Sequence, residues 1–140
     1  MSFTRILGID YGDKRIGLAL SDPLGIIASG LGVYGSTTMT KDIDAIAAIA
    51  KQNDAKIIVI GLPINMDGTE GERASKTRAF GKNLSKVSGL EVIYKDERLT
   101  TISAHKAMTD VGVAKKNQYK SVDTISAQLI LQSYLDSKRY

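Results

Sequence analysis

Ile6-Leu7-Gly8-Ile9-Asp10-Tyr11-Gly12 is an apolar run that closes on a carboxylate, and its reading decides the fold. Residues 5–10 have the length and apolar content of a buried strand. Tyr11-Gly12-Asp13-Lys14 is a turn-rich link of hairpin type, and residues 15–21 repeat the apolar pattern as a second strand. A third is expected near Gly30–Tyr34. Gly8, Gly17, Gly30 and Gly32 weaken these strands intrinsically. They mark either a close approach to the backbone or tight packing against a helix.

Downstream, Thr40 or Asp42 can cap a helix running to about Asn53, with Ile43, Ile46, Ala47 and Ala50 on one stripe. Lys56-Ile57-Ile58-Val59-Ile60 suits a strand covered by helices on both faces. A glycine-bearing loop, 61–71, leads into a basic helix over Glu72–Ser88 that Gly89 ends. Glu91–Lys95 is the fifth strand. Thr100–Val111 reads as a helix, 112–120 as a mobile basic link, and Ser121 as the cap of a last helix to about Ser137. This β-β-β-α-β-α-β-α-α order predicts one α/β domain over 1–140 with a mixed sheet, its first three strands an antiparallel meander.

Composition narrows the chemistry. A net charge of +4 and a pI of about 9.3 favour anionic partners, nucleic acid first. With no cysteine and one histidine, His105, thiolate and His-cluster metal sites are excluded. Any metal would be held by oxygen, which favours Mg²⁺ or Mn²⁺. The apolar start is broken by Arg5, Gly8 and Asp10, and no run approaches the roughly 20 residues of a spanning helix. A cytoplasmic, membrane-free protein is expected.

Three acids sit at the ends of regular elements. Asp10 ends strand one, where it projects into the ligand crevice or serves as a turn residue. Glu97 follows strand five; it lies at the same sheet edge as Asp10 if the two strands run parallel, or it caps a helix as Asp96 also could. Asp123 heads the stripe Asp123, Ala127, Ile130 and Tyr134, so it faces the body of the protein. There it needs a partner or a metal, unless free N–H groups of a first helical turn satisfy it. Two metal ions about 4 Å apart need carboxylates that converge in this way from different elements. Lys14, Arg15, Arg73, Lys76, Arg78, Lys115 and Lys116 are candidates for phosphate contacts or simply a solvated surface. His105 is either a proton shuttle or an ordinary helix residue. Asn65 and Asp67 make the 65–71 loop a candidate substrate-facing flap or a well-capped lead-in to the basic helix.

The chain resembles the YqgF-type proteins, the RuvX family of the RNase H-like superfamily. Four blocks carry the resemblance: Gly8-Ile9-Asp10-Tyr11-Gly12-Asp13-Lys14-Arg15-Ile16-Gly17, the loop Gly61-Leu62-Pro63-Ile64-Asn65-Met66-Asp67-Gly68-Thr69-Glu70-Gly71, Asp96-Glu97-Arg98-Leu99-Thr100-Thr101, and Val122-Asp123 with Ala127-Gln128-Leu129-Ile130-Leu131-Gln132. It implies an RNase H-like five-stranded mixed sheet, order 3-2-1-4-5, flanked by helices. It also implies that Asp10, Glu97 and Asp123 are a catalytic, metal-binding triad with Asp10 as the bridging ligand. Ser126 stands where alanine is more usual. Members are linked both to maturation of the 5′ end of 16S rRNA and to cutting branched DNA.

The expected activity is therefore a Mg²⁺- or Mn²⁺-dependent nuclease on structured RNA, with the Holliday junction as alternative substrate. The expected contacts to nucleic acid are Lys14, Arg15, Asn65, Arg73, Arg98, Lys115 and Lys116. A resolvase should be a homodimer, whereas an rRNA trimmer can be a monomer. Two further classes stay open: a phosphate-binding ATPase of the actin and sugar-kinase type, for which one domain leaves no room for the second, and a non-catalytic nucleic-acid-binding module, against which the three acids count.

Overall fold

The computed structural model describes residues 4–97 and 115–138, with side chains in the second part described from Thr124 onward. The expected helix over 100–111, with His105, lies outside the described residues.

Five strands form one mixed sheet. β1 (Arg5–Tyr11) pairs antiparallel with β2 (Arg15–Ser21), and β2 antiparallel with β3 (Ala28–Gly35). After α1 (Met39–Gln52), β4 (Ala55–Leu62) returns parallel to β1; after α2 (Glu72–Ser88), β5 (Glu91–Asp96) lies parallel to β4. The order β3-β2-β1-β4-β5 is the one the resemblance implies. The last described element is α3 (Lys115–Ser137).

The two-residue period of the strands sorts the core into two layers. Leu7, Ile9 and Tyr11 of β1 join Ile58 and Ile60 of β4 beneath α1 and α2, where they meet Ile43, Ile46, Phe80 and Leu84. The Tyr11 and Phe80 rings stack there at 4.2 Å between centroids. The opposite face carries Ile6, Ala19, Ala28 and Val59, and α3 covers it with Ala127, Ile130, Leu131 and Leu135.

Packing against a helix, one of the two readings offered for the strand glycines, explains two of them. A Cβ on Gly8 would come within 2.7 Å of Leu131 Cβ and 3.1 Å of the Ala127 carbonyl. One on Gly30 would come within 2.5 Å of Thr124 Cγ2. Both lie under α3. The helix is also fastened to the edge strand: Ala28 N–H donates to Gln132 Oε1 (2.8 Å), and Gln128 and Gln132 Nε2 donate to the carbonyls of Ala28 (3.1 Å) and Ile26 (2.9 Å).

Two expectations about helix starts are corrected. Thr38 caps α1, its hydroxyl accepting from Lys41 N–H. Asp42 instead turns inward and is buried, accepting from Ser36 Oγ (2.6 Å), Thr37 N–H (2.8 Å) and Thr37 Oγ1 (3.0 Å). Residues 115–120 belong to α3 rather than to a link, and Ser121 lies inside the helix. From Lys115 to Lys120 there is neither glycine nor proline to stop a helix.

Gly8→Ala should cost about 1–3 kcal/mol, because its methyl group overpacks the α3 contact. Urea denaturation measures this, and a stability equal to wild type would show that the helix can move away.

Candidate active site at the parallel strand ends

Asp10 is two residues past Gly8 and four past Ile6, so strand alternation sets it on the α3 face of the sheet. Glu97 stands in the same relation to Ile93, which packs in the α3 layer. Because β1, β4 and β5 run parallel, Asp10 and Glu97 leave the sheet at one edge. Glu97 N–H donates to the Leu62 carbonyl at 3.3 Å, so its backbone extends the β4–β5 pairing past Asp96.

Between the two acids lies Gly61 of β4. Any side chain there would strike both Glu97 Oε2 and Ile130 Cδ1. A glycine at this position lets the Glu97 carboxyl lie over the sheet beneath α3. The sequence contained a signal for it, a glycine closing the apolar run of β4, but nothing local ties that glycine to Glu97.

The Glu97 carboxyl is largely buried and hydrogen-bonded to Asp10. Burial, followed by the negative charge of Asp10, pushes its pKa up to about 7, while Arg73 pulls the other way. Two carboxyls in contact keep a proton between them near neutrality.

Asp123 lies on the helix that covers this face, one turn before Ala127. α3 runs antiparallel to β1: Gln132 bonds to Ala28 at the far end of the sheet, and Thr124 lies over Gly30. Residues before Thr124 therefore lead toward the edge that bears Asp10. Asp123 is eight positions beyond Lys115, well inside the helix, so the free N–H groups of a first turn are not in reach of it. This removes the capping alternative for that acid.

The basic candidates divide. Arg73 is at the site: its Nη2 donates to the Tyr11 carbonyl at 2.9 Å, one residue beyond Asp10, and its Nη1 meets Asp13 Oδ1 at 2.5 Å. Lys76 Nζ bonds the same Asp13 oxygen at 3.0 Å. Lys14 is exposed on the β1–β2 turn, and Arg15 opens β2 half-buried. Arg78 is locked away, bidentate on Glu70 at 2.8 Å for each bond and 5.1 Å above the Tyr94 ring. Asn65 is exposed but directed into its own loop, where Nδ2 donates to Thr69 Oγ1 at 3.0 Å and its backbone N–H to the Thr69 carbonyl at 2.8 Å. Asp67 closes the loop by accepting from Thr69 N–H at 2.9 Å. The loop is a self-bonded turn of the well-capped kind. Lys115 and Lys116 begin α3, and Arg98 lies outside the described residues.

The sheet order, the helix over one face and the paired acids at the parallel strand ends define an α/β protein of RNase H-like fold. The chain belongs to the RuvX family, whose model, described as "RuvX: Holliday junction resolvase", matches residues 4–137. A relative from Clostridium beijerinckii is 48% identical over 132 residues, 94% of this chain and 96% of its own. Another from Ruminiclostridium cellulolyticum is 47% identical over 133 residues, 94% of each chain. Both carry the name "Putative pre-16S rRNA nuclease". Among solved structures, T. thermophilus RuvC in complex with a Holliday junction substrate superposes with a TM-score of 0.57 at 11% identity, covering 97% of this chain and 96% of that one. The fowlpox virus resolvase bound to Holliday junction DNA gives 0.59 at 17% identity, covering 98% and 100%. At these identities the likeness is one of fold.

The raised Glu97 pKa has a thermodynamic sign. Above about 7 the native state must ionise a carboxyl that the unfolded chain ionises near 4.5, so this group's contribution to stability falls as pH rises through that window. Glu97→Gln removes the proton and keeps the shape. With chelator present, the variant should gain on the order of 2 kcal/mol on wild type between about pH 5 and about pH 8, read from urea midpoints. A pH-independent difference would show that Glu97 is not held in its protonated form.

Proposed function

We propose that this chain is a single-domain, divalent-metal-dependent nuclease that hydrolyses phosphodiester bonds at the 5′ end of pre-16S rRNA in the cytoplasm. The observation that carries the reading is the contact between the Asp10 and Glu97 carboxyls at the edge of the sheet, beneath the helix that bears Asp123. The names of the full-length relatives supply the substrate. No helix among the described residues is long and apolar enough to cross a membrane.

The donor set fits a metal. Two carboxyls that repel each other at a largely buried site, and share a proton that relieves the repulsion, would exchange that proton for Mg²⁺ or Mn²⁺. Asp10, Glu97 and Asp123 would hold it. The chemistry such a metal would supply is activation of the attacking water and neutralisation of charge on the phosphate. The protein's own residues do the rest. β1 and β5 fix two carboxylates on rigid elements, and α3 closes the face behind them against water. Arg73 fixes the chain just beyond Asp10 and presents positive charge to the substrate. Lys14, Arg15, Asn65, Arg98, Lys115 and Lys116 would be the further contacts to the nucleic acid.

The description of the family favours a second reading, a resolvase on branched DNA. Such an enzyme cuts two symmetry-related strands and so acts as a homodimer, whereas trimming of rRNA is open to a monomer.

Asp10→Asn and Glu97→Gln should each lower cleavage by about 10²–10⁴-fold in Mg²⁺ or Mn²⁺. Parallel assays on a 16S precursor fragment and on a four-way DNA junction measure this and decide between substrates. A variant that cuts as fast as wild type overturns the triad.

A further inference from the structure

Asp13, at the tip of the β1–β2 turn, has no part in the proposed reaction. A single oxygen, Oδ1, receives both Arg73 Nη1 (2.5 Å) and Lys76 Nζ (3.0 Å). Arg73 and Lys76 are three apart on α2, so they project from one face of the helix. All three side chains are about half exposed: 45% for Arg73, 48% for Lys76 and 59% for Asp13. The contrast is the neighbouring pair Glu70 and Arg78. There both carboxylate oxygens take one bond each, and the guanidinium also lies over Tyr94. That pair is a lock. Asp13 instead places one negatively charged oxygen between two cations, which is how a nucleic-acid phosphate would sit.

Arg73 keeps its place without Asp13, because the Tyr11 carbonyl also holds it at 2.9 Å. That carbonyl is one residue from Asp10, so the two cations border the acidic edge. Exchange would be easy, since an exposed ion pair is only weakly held against solvent.

We propose that Arg73 and Lys76 form a binding site for a phosphodiester of the nucleic-acid backbone, and that Asp13 fills this site as a phosphate mimic until the substrate displaces it. The inference rests on the nuclease reading for its ligand class. Asp13 then lowers affinity for any strand that cannot fill the site well, and so tunes selectivity.

The test is binding of a fluorescein-labelled single-stranded RNA, followed by anisotropy in chelator over a series of salt concentrations. Asp13→Asn should bind about five- to tenfold tighter at about 100 mM salt. The slope of log affinity against log salt should steepen by about 0.7, the value for one phosphate contact on a single strand. Asp13→Ser, which keeps a turn-forming side chain, should show the same gain. Adding Arg73→Gln or Lys76→Gln to Asp13→Asn should abolish most of it. Affinity unchanged or weaker in both Asp13 variants, with melting curves showing them folded, overturns the proposal. Failure here is separable from failure of the nuclease reading: an Asp10→Asn chain that still cleaves removes the reading, whereas loss of cleavage in Asp10→Asn with unaltered binding in the Asp13 variants removes only this proposal.

Discussion

Where α3 crosses the sheet, two glycines let it come close, and the acidic edge depends on that closeness. Gly8 admits Leu131 and the Ala127 carbonyl; Gly61 admits Ile130 and the Glu97 carboxylate. With a methyl group at either position the helix would ride higher, water would reach the carboxyls, and the pressure that holds a proton between Asp10 and Glu97 would fall. Packing and electrostatics are thus one problem here. The dispersion contacts that seat the helix also lower the local dielectric that couples the two acids.

Strand alternation does the remaining positioning. The same β1 residues that bury Leu7, Ile9 and Tyr11 under α1 and α2 must turn Ile6, Gly8 and Asp10 toward α3. A one-residue slip of register would put Asp10 beneath the wrong helices. The hairpin to β2 and the parallel pairing to β4 fix that register from both sides.

The parts of the molecule legible in the sequence were those governed by period and by chain direction. The apolar run with its terminal acid revealed β1 and Asp10; the continuous run of β4 revealed a doubly covered strand; Glu72–Ser88 with Gly89 revealed α2 to the residue. The four motif blocks implied the sheet order. Contacts between distant residues were not legible. Asp42 looks like a helix cap because its neighbours in sequence suggest it, yet it bonds backward to Ser36 and Thr37 and is buried. Arg73 and Asp13 are sixty positions apart, and no spacing rule brings a turn carboxylate onto a helix arginine. Asp123 was read in a first turn because Ser121 resembles a cap; the helix runs through it, and the argument about free N–H groups changes with that start.

The two glutamines of α3 have a consequence beyond anchoring. Edge strands expose unpaired N–H and C=O groups to which any extended peptide can add. Gln128 and Gln132 occupy the Ala28 N–H and the Ala28 and Ile26 carbonyls, beside the exposed Leu24, Ile26 and Ile27. At that apolar corner, three of the backbone groups a foreign strand would need are therefore already bonded to α3. The helix that shelters the acids also guards the sheet against growth into an aggregate.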